Sequence, residues 1–108
     1  MAQAKMQPGG SPDPVKVDPE HYRVEAENER LRVLRVHYPV KSKSVMHGHP
    51  ETVAIFLTDG QCRFTYPDGR TEDHVFKSGQ TMVMPAMDHL PENTGASAFD
   101  VILVELKQ

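Results

Sequence analysis

The chain holds six histidines and a single cysteine, Cys62, so any metal or acid–base chemistry must rest mainly on nitrogen and oxygen. The pair His47-Gly48-His49 has the most suggestive spacing. Residues two apart on a strand project to the same face, which would set both imidazoles side by side to chelate one ion. A third histidine, His89, follows the strand-like run Thr81-Met82-Val83-Met84 and Pro85. Imidazole accepts iron, zinc, copper, nickel or manganese, so a divalent transition metal held by the His47 and His49 pair is one reading, and two histidines bonded only to water or backbone is the other. Glu51 shares the histidine face only if the strand continues through Pro50; a loop is the expectation there, which leaves Glu51 a minor candidate for a fourth ligand. Met46, Met82, Met84 and Met87 lie in or beside these segments and read as core filler, although a thioether reaching the ion would tilt the site toward copper. Asp88 and Glu92 flank His89 and are candidates to orient an imidazole. Tyr38 and Tyr66 are candidates to present a hydroxyl to the interior. His21 and His74 read as solvated strand-edge residues, His37 as a surface or barrel-mouth residue, and Cys62 as a buried small side chain or a reactive thiol. No residue is identified as catalytic.

The elements that must position these groups are short. Residues 1–20 contain Pro8, Gly9, Gly10, Ser11, Pro12, Pro14 and Pro19 and read as a flexible or extended arm outside the core. Residues 21–108 form a single domain in which short alternating runs are separated by turn residues, the texture of an all-β fold. Strands are predicted over 22–25, 31–38, 44–49, 53–57, 62–66, 74–76, 81–84 and 99–106. Asp59-Gly60 predicts a tight hairpin needing positive φ, and Pro67-Asp68-Gly69, Lys77-Ser78-Gly79-Gln80 and Asn93-Thr94-Gly95 predict further turns. Short antiparallel strands in this number fit a jelly roll or small barrel, which leaves few open sheet edges.

Taken together, His47 and His49 with the closing Gly60, and Gly79, Pro85, His89 and Asn93, resemble the two signature motifs of the cupin superfamily. The match has gaps. Lys41 stands at the leading glycine of the first motif and Val53 at its glutamate, while Met87 replaces the middle glycine of the second. The resemblance spans roughly residues 30–106 and is to small single-domain bacterial cupins that lack the metal-binding glutamate. It implies a jelly-roll β-barrel with His47, His49 and His89 around a metal. Three neutral ligands leave the ion its full charge, which favours an anionic or enolisable substrate. Three-histidine cupins of this kind hold iron and act as dioxygenases; zinc in such a site would suit hydrolysis or hydration. The alternatives are a barrel that binds or senses a small ligand without chemistry, and a dimer with a vestigial site.

Composition removes other classes. Lys plus Arg is 12 against 15 for Asp plus Glu, so the chain lacks the basic excess of a nucleic-acid or anionic-membrane binder. No apolar run approaches the roughly 20 residues of a membrane span, and one cysteine closes no internal disulfide. A soluble protein is expected, cytoplasmic as written. Ala2-Gln3-Ala4 has the small-residue texture of a signal-peptidase site, which keeps the periplasm open as a location. The expected partners are a small molecule and a second copy of the chain, since Phe99-Asp100-Val101-Ile102-Leu103-Val104 offers apolar residues on both faces.

Overall fold

The structure, a computed structural model, describes residues 10–107. One helical turn, α1 (Pro14–Val17), precedes nine strands: β1 (Tyr22–Glu27), β2 (Leu31–Tyr38), β3 (His47–His49), β4 (Thr52–Phe56), β5 (Gly60–Thr65), β6 (Thr71–Phe76), β7 (Thr81–Met84), β8 (Met87–Asn93) and β9 (Phe99–Leu106). They build two antiparallel sheets, ordered β1-β2-β9-β4-β7 and β3-β8-β5-β6. This is the jelly-roll barrel expected from the turn spacing.

Side-chain alternation decides what each sheet buries. β4 and β9 bury every second residue, as a pleated strand with one face on the core must. Leu34, Val36, Ala54, Val101 and Leu103 point inward and are buried, each worth about 1.5–3 kcal/mol when fully withdrawn from water except the smaller Ala54. Part of the core is aromatic: Phe56 stacks on Phe76 at 4.1 Å between ring centroids, and Phe76 meets Phe99 edge-on at 5.1 Å.

Several elements differ from the sequence expectation. β4 and β5 do not form a hairpin, because β4 pairs with β7 and β9 whereas β5 pairs with β6 and β8. The Asp59-Gly60 connection instead carries the chain from one sheet to the other. Gly60 does not have positive φ; its lack of a side chain matters for space, since a Cβ there would strike the Phe76 ring and lie 2.9 Å from Phe99 Cβ. The hairpin at Gly69 does form, between β5 and β6, and Gly69 and Gly79 adopt the positive φ that their turns require.

β8 is a strand where none is predicted; Pro85 precedes it and Pro91 lies within it, and proline has no N–H to give to a ladder. Pro91 is tolerated because its carbonyl accepts from Ser44 N while its missing N–H leaves no gap in the pairing of β8 with β5. The stretch before His47 is irregular, so the strand predicted from residue 44 shortens to β3.

Residues 10–20 also differ from the expected arm. Rather than standing off as an arm, this segment folds against the barrel: Asp13, Pro14 and Asp18 are buried. Asp13 caps α1 by accepting from Val15 N at 3.0 Å, and Pro12 O accepts from Gly48 N at 2.9 Å. Composition missed this because proline fits both a loose arm and the first turn of a helix. The remainder of the predicted arm, and Ala2-Gln3-Ala4 with it, lies outside the described residues.

Candidate metal centre

Two neighbouring strands of one sheet supply three histidines. β3 pairs with β8 so that His47 faces His89 directly and His49 faces Met87. Alternation places His47, His49 and His89 on the interior side, where all are buried. Their ring centroids are 4.9, 4.9 and 5.1 Å apart with interplanar angles of 90°, 87° and 87°, and one ring nitrogen from each falls within 4.8 Å of the others.

Hydrogen bonds settle which nitrogens are free. His47 Nδ1 lies 2.8 Å from Val45 O; a carbonyl only accepts, so Nδ1 carries the proton and Nε2 is a bare lone pair. His49 Nδ1 lies 2.7 Å from a Glu105 carboxylate oxygen and donates to it, with the same consequence at Nε2. Both Nε2 atoms are buried without a partner, as are both ring nitrogens of His89. Leaving a polar group buried and unpaired costs about 1–3 kcal/mol, so three such groups converging on one point call for a shared partner. Burial, followed by the neighbouring His49, pushes the His47 imidazole down to about 3, and burial drives His89 well below its ordinary value. Neutral imidazole is the ligating form, and the donor set with its orphaned nitrogens fits a divalent metal ion.

Beside the histidines lies a cavity of about 50 Å³, larger than the roughly 10–15 Å³ that one water needs by this measure. His49 and His89 line one side, and Tyr22, Phe56, Phe64, Met84 and Phe99 are among its walls, with no Lys, Arg, Asp or Glu. The Tyr22 and Tyr38 hydroxyls are hydrogen-bonded at 2.7 Å. Burial raises both phenols above their ordinary range, so each keeps its proton. Their mutual bond uses one of the two protons. Phe64 stands between the two histidine environments, 4.3 Å from the His89 ring and 4.6 Å from that of His74.

The other sequence candidates are distributed around this centre. Glu51 is exposed in the bend between β3 and β4 and lies outside the histidine cluster, in line with the loop expected after Pro50. Met84 is a cavity wall, and Met82 and Met87 pack against the core; Met46 is half-buried. Asp88 and Glu92 alternate away from His89, and neither bonds an imidazole among the described residues. Tyr38 does face the interior, whereas Tyr66 sits outside it, donating to Glu72 at 2.6 Å beneath the Arg70 guanidinium. Cys62 is buried in the cavity wall, and burial pushes its thiol up to about 12, which keeps it protonated. His37 is exposed and pairs with Asp100 as a surface residue. His74 is half-buried beside Glu72.

His21 departs from its expected solvated edge. It is buried, stacks on Tyr38 at 4.2 Å and bonds Asp18 at 2.7 Å. The residues that sequence reasoning missed are Glu105, Ser44, Asp13, Asp18 and Arg32. The only available signal was the alternation of β9, which puts Glu105 on the buried face with Leu103; a lone acid at such a position needs a buried partner.

The sequence matches no protein-family model and no curated protein. Solved structures do share its architecture. A cupin domain from Bordetella pertussis Tohama I superimposes with a TM-score of 0.74 at 22% identity, covering 81% of this chain and 92% of that one. An RmlC-like cupin with a double-stranded β-helix fold from Methanocaldococcus jannaschii gives 0.62 at 19%, covering 82% and 83%. A cupin superfamily protein from Desulfitobacterium hafniense gives 0.60 at 15%, covering 81% and 76%. With two antiparallel sheets closed around a buried interior and these neighbours over four-fifths of its length, the chain has the fold of the cupin superfamily.

Proposed function

We propose that this protein is a metal-dependent cupin in which His47, His49 and His89 hold one divalent transition ion and a small molecule is processed in the adjoining cavity. The observation that carries the reading is the convergence of unpartnered, buried ring nitrogens from all three histidines. A bound ion would supply Lewis acidity, or oxygen activation in the case of iron. The chain's own residues define the rest. With no acidic or basic side chain in the cavity wall, nothing but the ion offsets a substrate's charge, so a molecule with one anionic or enolisable end and a compact apolar body fits best. The aromatic walls exclude water around that body. The uncommitted phenol proton of the Tyr22–Tyr38 pair is a hydrogen-bond donor for a substrate oxygen.

Metal content by plasma mass spectrometry tests the centre. Near one equivalent is expected in the native chain and none in a His47→Ala, His49→Ala, His89→Ala triple variant, while His37→Ala retains its metal. A native chain that takes up no metal on reloading near neutral pH would leave a metal-free ligand-binding barrel. The retained ion then selects the assay: oxygen uptake with diketones or thiols for iron, hydrolysis or hydration for zinc. Tyr22→Phe is expected to lower turnover about tenfold or more with metal content unchanged.

A second copy of the chain is also part of this reading. On the outer face of the five-stranded sheet, Val33, Val104, Val53 and Val83 form one row across four strands, with Ile102 and Ile55 in the next. Val83 is 66% exposed. Arg35 and Asp100 lie on the same face with opposite charges, an arrangement that a two-fold axis makes reciprocal. Light scattering is expected to give a dimer at micromolar concentration and a monomer for Val53→Glu/Val83→Glu; a native monomer overturns the dimer.

A further inference from the structure

The segment 12–18 is linked to the histidine centre in three ways, one direct and two through intervening side chains, and each link ends on or between the two histidines of β3. Pro12 O accepts from Gly48 N, the amide between His47 and His49, at 2.9 Å. Asp13 binds the Arg32 guanidinium with both carboxylate oxygens at 2.8 and 2.9 Å. Arg32 in turn donates to Glu105 Oε1 from Nε at 3.0 Å and from Nη2 at 2.7 Å, and the other Glu105 oxygen receives the His49 proton at 2.7 Å. Asp18 accepts from the Ser44 hydroxyl, which lies 3.2 Å from His47 Nδ1. Asp13, Asp18, Glu105 and both histidines are all buried.

We propose that this N-terminal segment is the positioning element of the metal centre, with Asp13 acting on His49 through Arg32 and Glu105, and Asp18 acting on His47 through Ser44. The inference rests on the three-histidine site being a metal centre.

The physical argument is one of shared charge and fixed orientation. A guanidinium between two carboxylates divides its positive charge between them. Asp13 therefore leaves Glu105 more negative than a private Arg32–Glu105 pair would, and a more negative acceptor pulls harder on the His49 Nδ1 proton. That pull holds the ring in the tautomer with a bare Nε2 and makes Nε2 a better electron donor to a metal. The bidentate pair with Asp13 fixes the guanidinium in direction, and its two donors that meet on Glu105 Oε1 leave Oε2 for His49. On the other side, Ser44 donates its proton to Asp18, so its oxygen is left as an acceptor toward His47 Nδ1, beside the Val45 carbonyl. Neither Asp13 nor Asp18 reaches a ligand directly. They act as positioning residues, and they couple the fold of the first described residues to the geometry of the centre.

Zn²⁺ affinity by competition with a chelating dye, on the full chain, tests this with Asp13→Asn and Asp18→Asn. Asparagine keeps the size of each side chain and remains a good helix cap at position 13. Each variant is expected to bind Zn²⁺ about tenfold more weakly, while Asp73→Asn, which alters an exposed ion pair with Arg63, binds as the native chain does. A purely structural role would leave two further readouts unmoved in folded variants. The Co²⁺ absorption bands are expected to shift in Asp13→Asn, and the side-chain ¹⁵N spectrum of the metal-free variant is expected to show His49 as a mixture of tautomers instead of one. Glu105→Gln, which keeps the shape of the relay but removes the charge beside His49, is the second variant in case Asp13→Asn fails to fold. Native-like affinity in both Asp variants, or in Glu105→Gln, overturns the inference while leaving the metal centre standing. A native chain that binds neither Zn²⁺ nor Co²⁺ overturns the metal reading itself, and the inference falls with it.

Discussion

At the scale of single residues, side chains of similar appearance in the sequence divide into those that serve the centre and those that hold the barrel. Asn93, the last residue of the second cupin-like motif, is far from free: its Nδ2 lies 3.1 Å from Tyr38 O, 3.3 Å from Pro39 O and 2.9 Å from Ser97 O, and its Oδ1 accepts from Gly95 N. It ties the β8–β9 turn to the end of β2. Asn93→Ala removes all of these bonds in a buried position and is expected to cost about 3 kcal/mol in urea denaturation, with metal stoichiometry intact in the folded fraction. Gly60 is similarly structural. A Cβ at this position drives into Phe76, which is packed between Phe56 and Phe99, so Gly60→Ala is expected to destabilise by about 1–3 kcal/mol through overpacking. The histidines, by contrast, are marked by what they lack, namely partners for their inward-facing nitrogens.

At the scale of elements, the N-terminal segment and β8 carry the largest departures from what the residue pattern suggests. Proline signals made both look irregular, and in both the tertiary surroundings supplied what the local pattern lacked. The segment's anchorage has a pH consequence. Burial opposes ionisation of Asp13, but its hydrogen bonds with Arg32 and Val15 N and the nearby Arg32 charge more than offset this and hold the carboxyl below its ordinary value. A group whose pKa is depressed on folding stabilises the native state fully above its unfolded value, about 3.9 for Asp, and loses that contribution as pH falls through its folded value. The stability gap between the native chain and Asp13→Asn, measured by urea midpoints, is therefore expected to be constant from pH 7 to 5 and to close below about pH 4. A gap that persists unchanged in acid would mean that Asp13 acts through shape rather than charge.

For the whole molecule, a small barrel of this size has one core and places its polar centre inside it. An orphaned ring nitrogen from each of the three histidines is a cost that a bound ion would remove, so metal should stabilise the fold as a unit. At a free Zn²⁺ concentration about a hundredfold above the dissociation constant, linkage gives about 2.7 kcal/mol, which corresponds to a rise in Tm of roughly 10 °C or more for a domain of this length. Scanning calorimetry of the native chain and the triple histidine variant checks this, with no shift expected in the variant. Among the described residues no helix is long and apolar enough to cross a membrane.

Much of this protein was decided by sequence alone. The two-residue period of strands such as β4 and β9 dictates which side chains face the core, and the same period places His47 and His49 on one side of β3, so the fold class and two of the three histidines follow from local geometry. Gly69 and Gly79 are legible for the same reason, since their turns require a backbone conformation that glycine adopts most readily. What only the tertiary structure decided is everything that depends on pairing across the chain. The register of β3 against β8 brings His89 opposite His47; the crossing of β4 to β5 turns an apparent hairpin into a link between sheets; and the docking of residues 12–18 delivers Asp13 and Asp18 to histidines that lie far beyond them along the sequence. Periodicity is a property of neighbours in the chain, whereas a charge relay such as Asp13–Arg32–Glu105–His49 exists only after distant segments have been buried together, where each carboxylate must find a partner or pay the cost of desolvation.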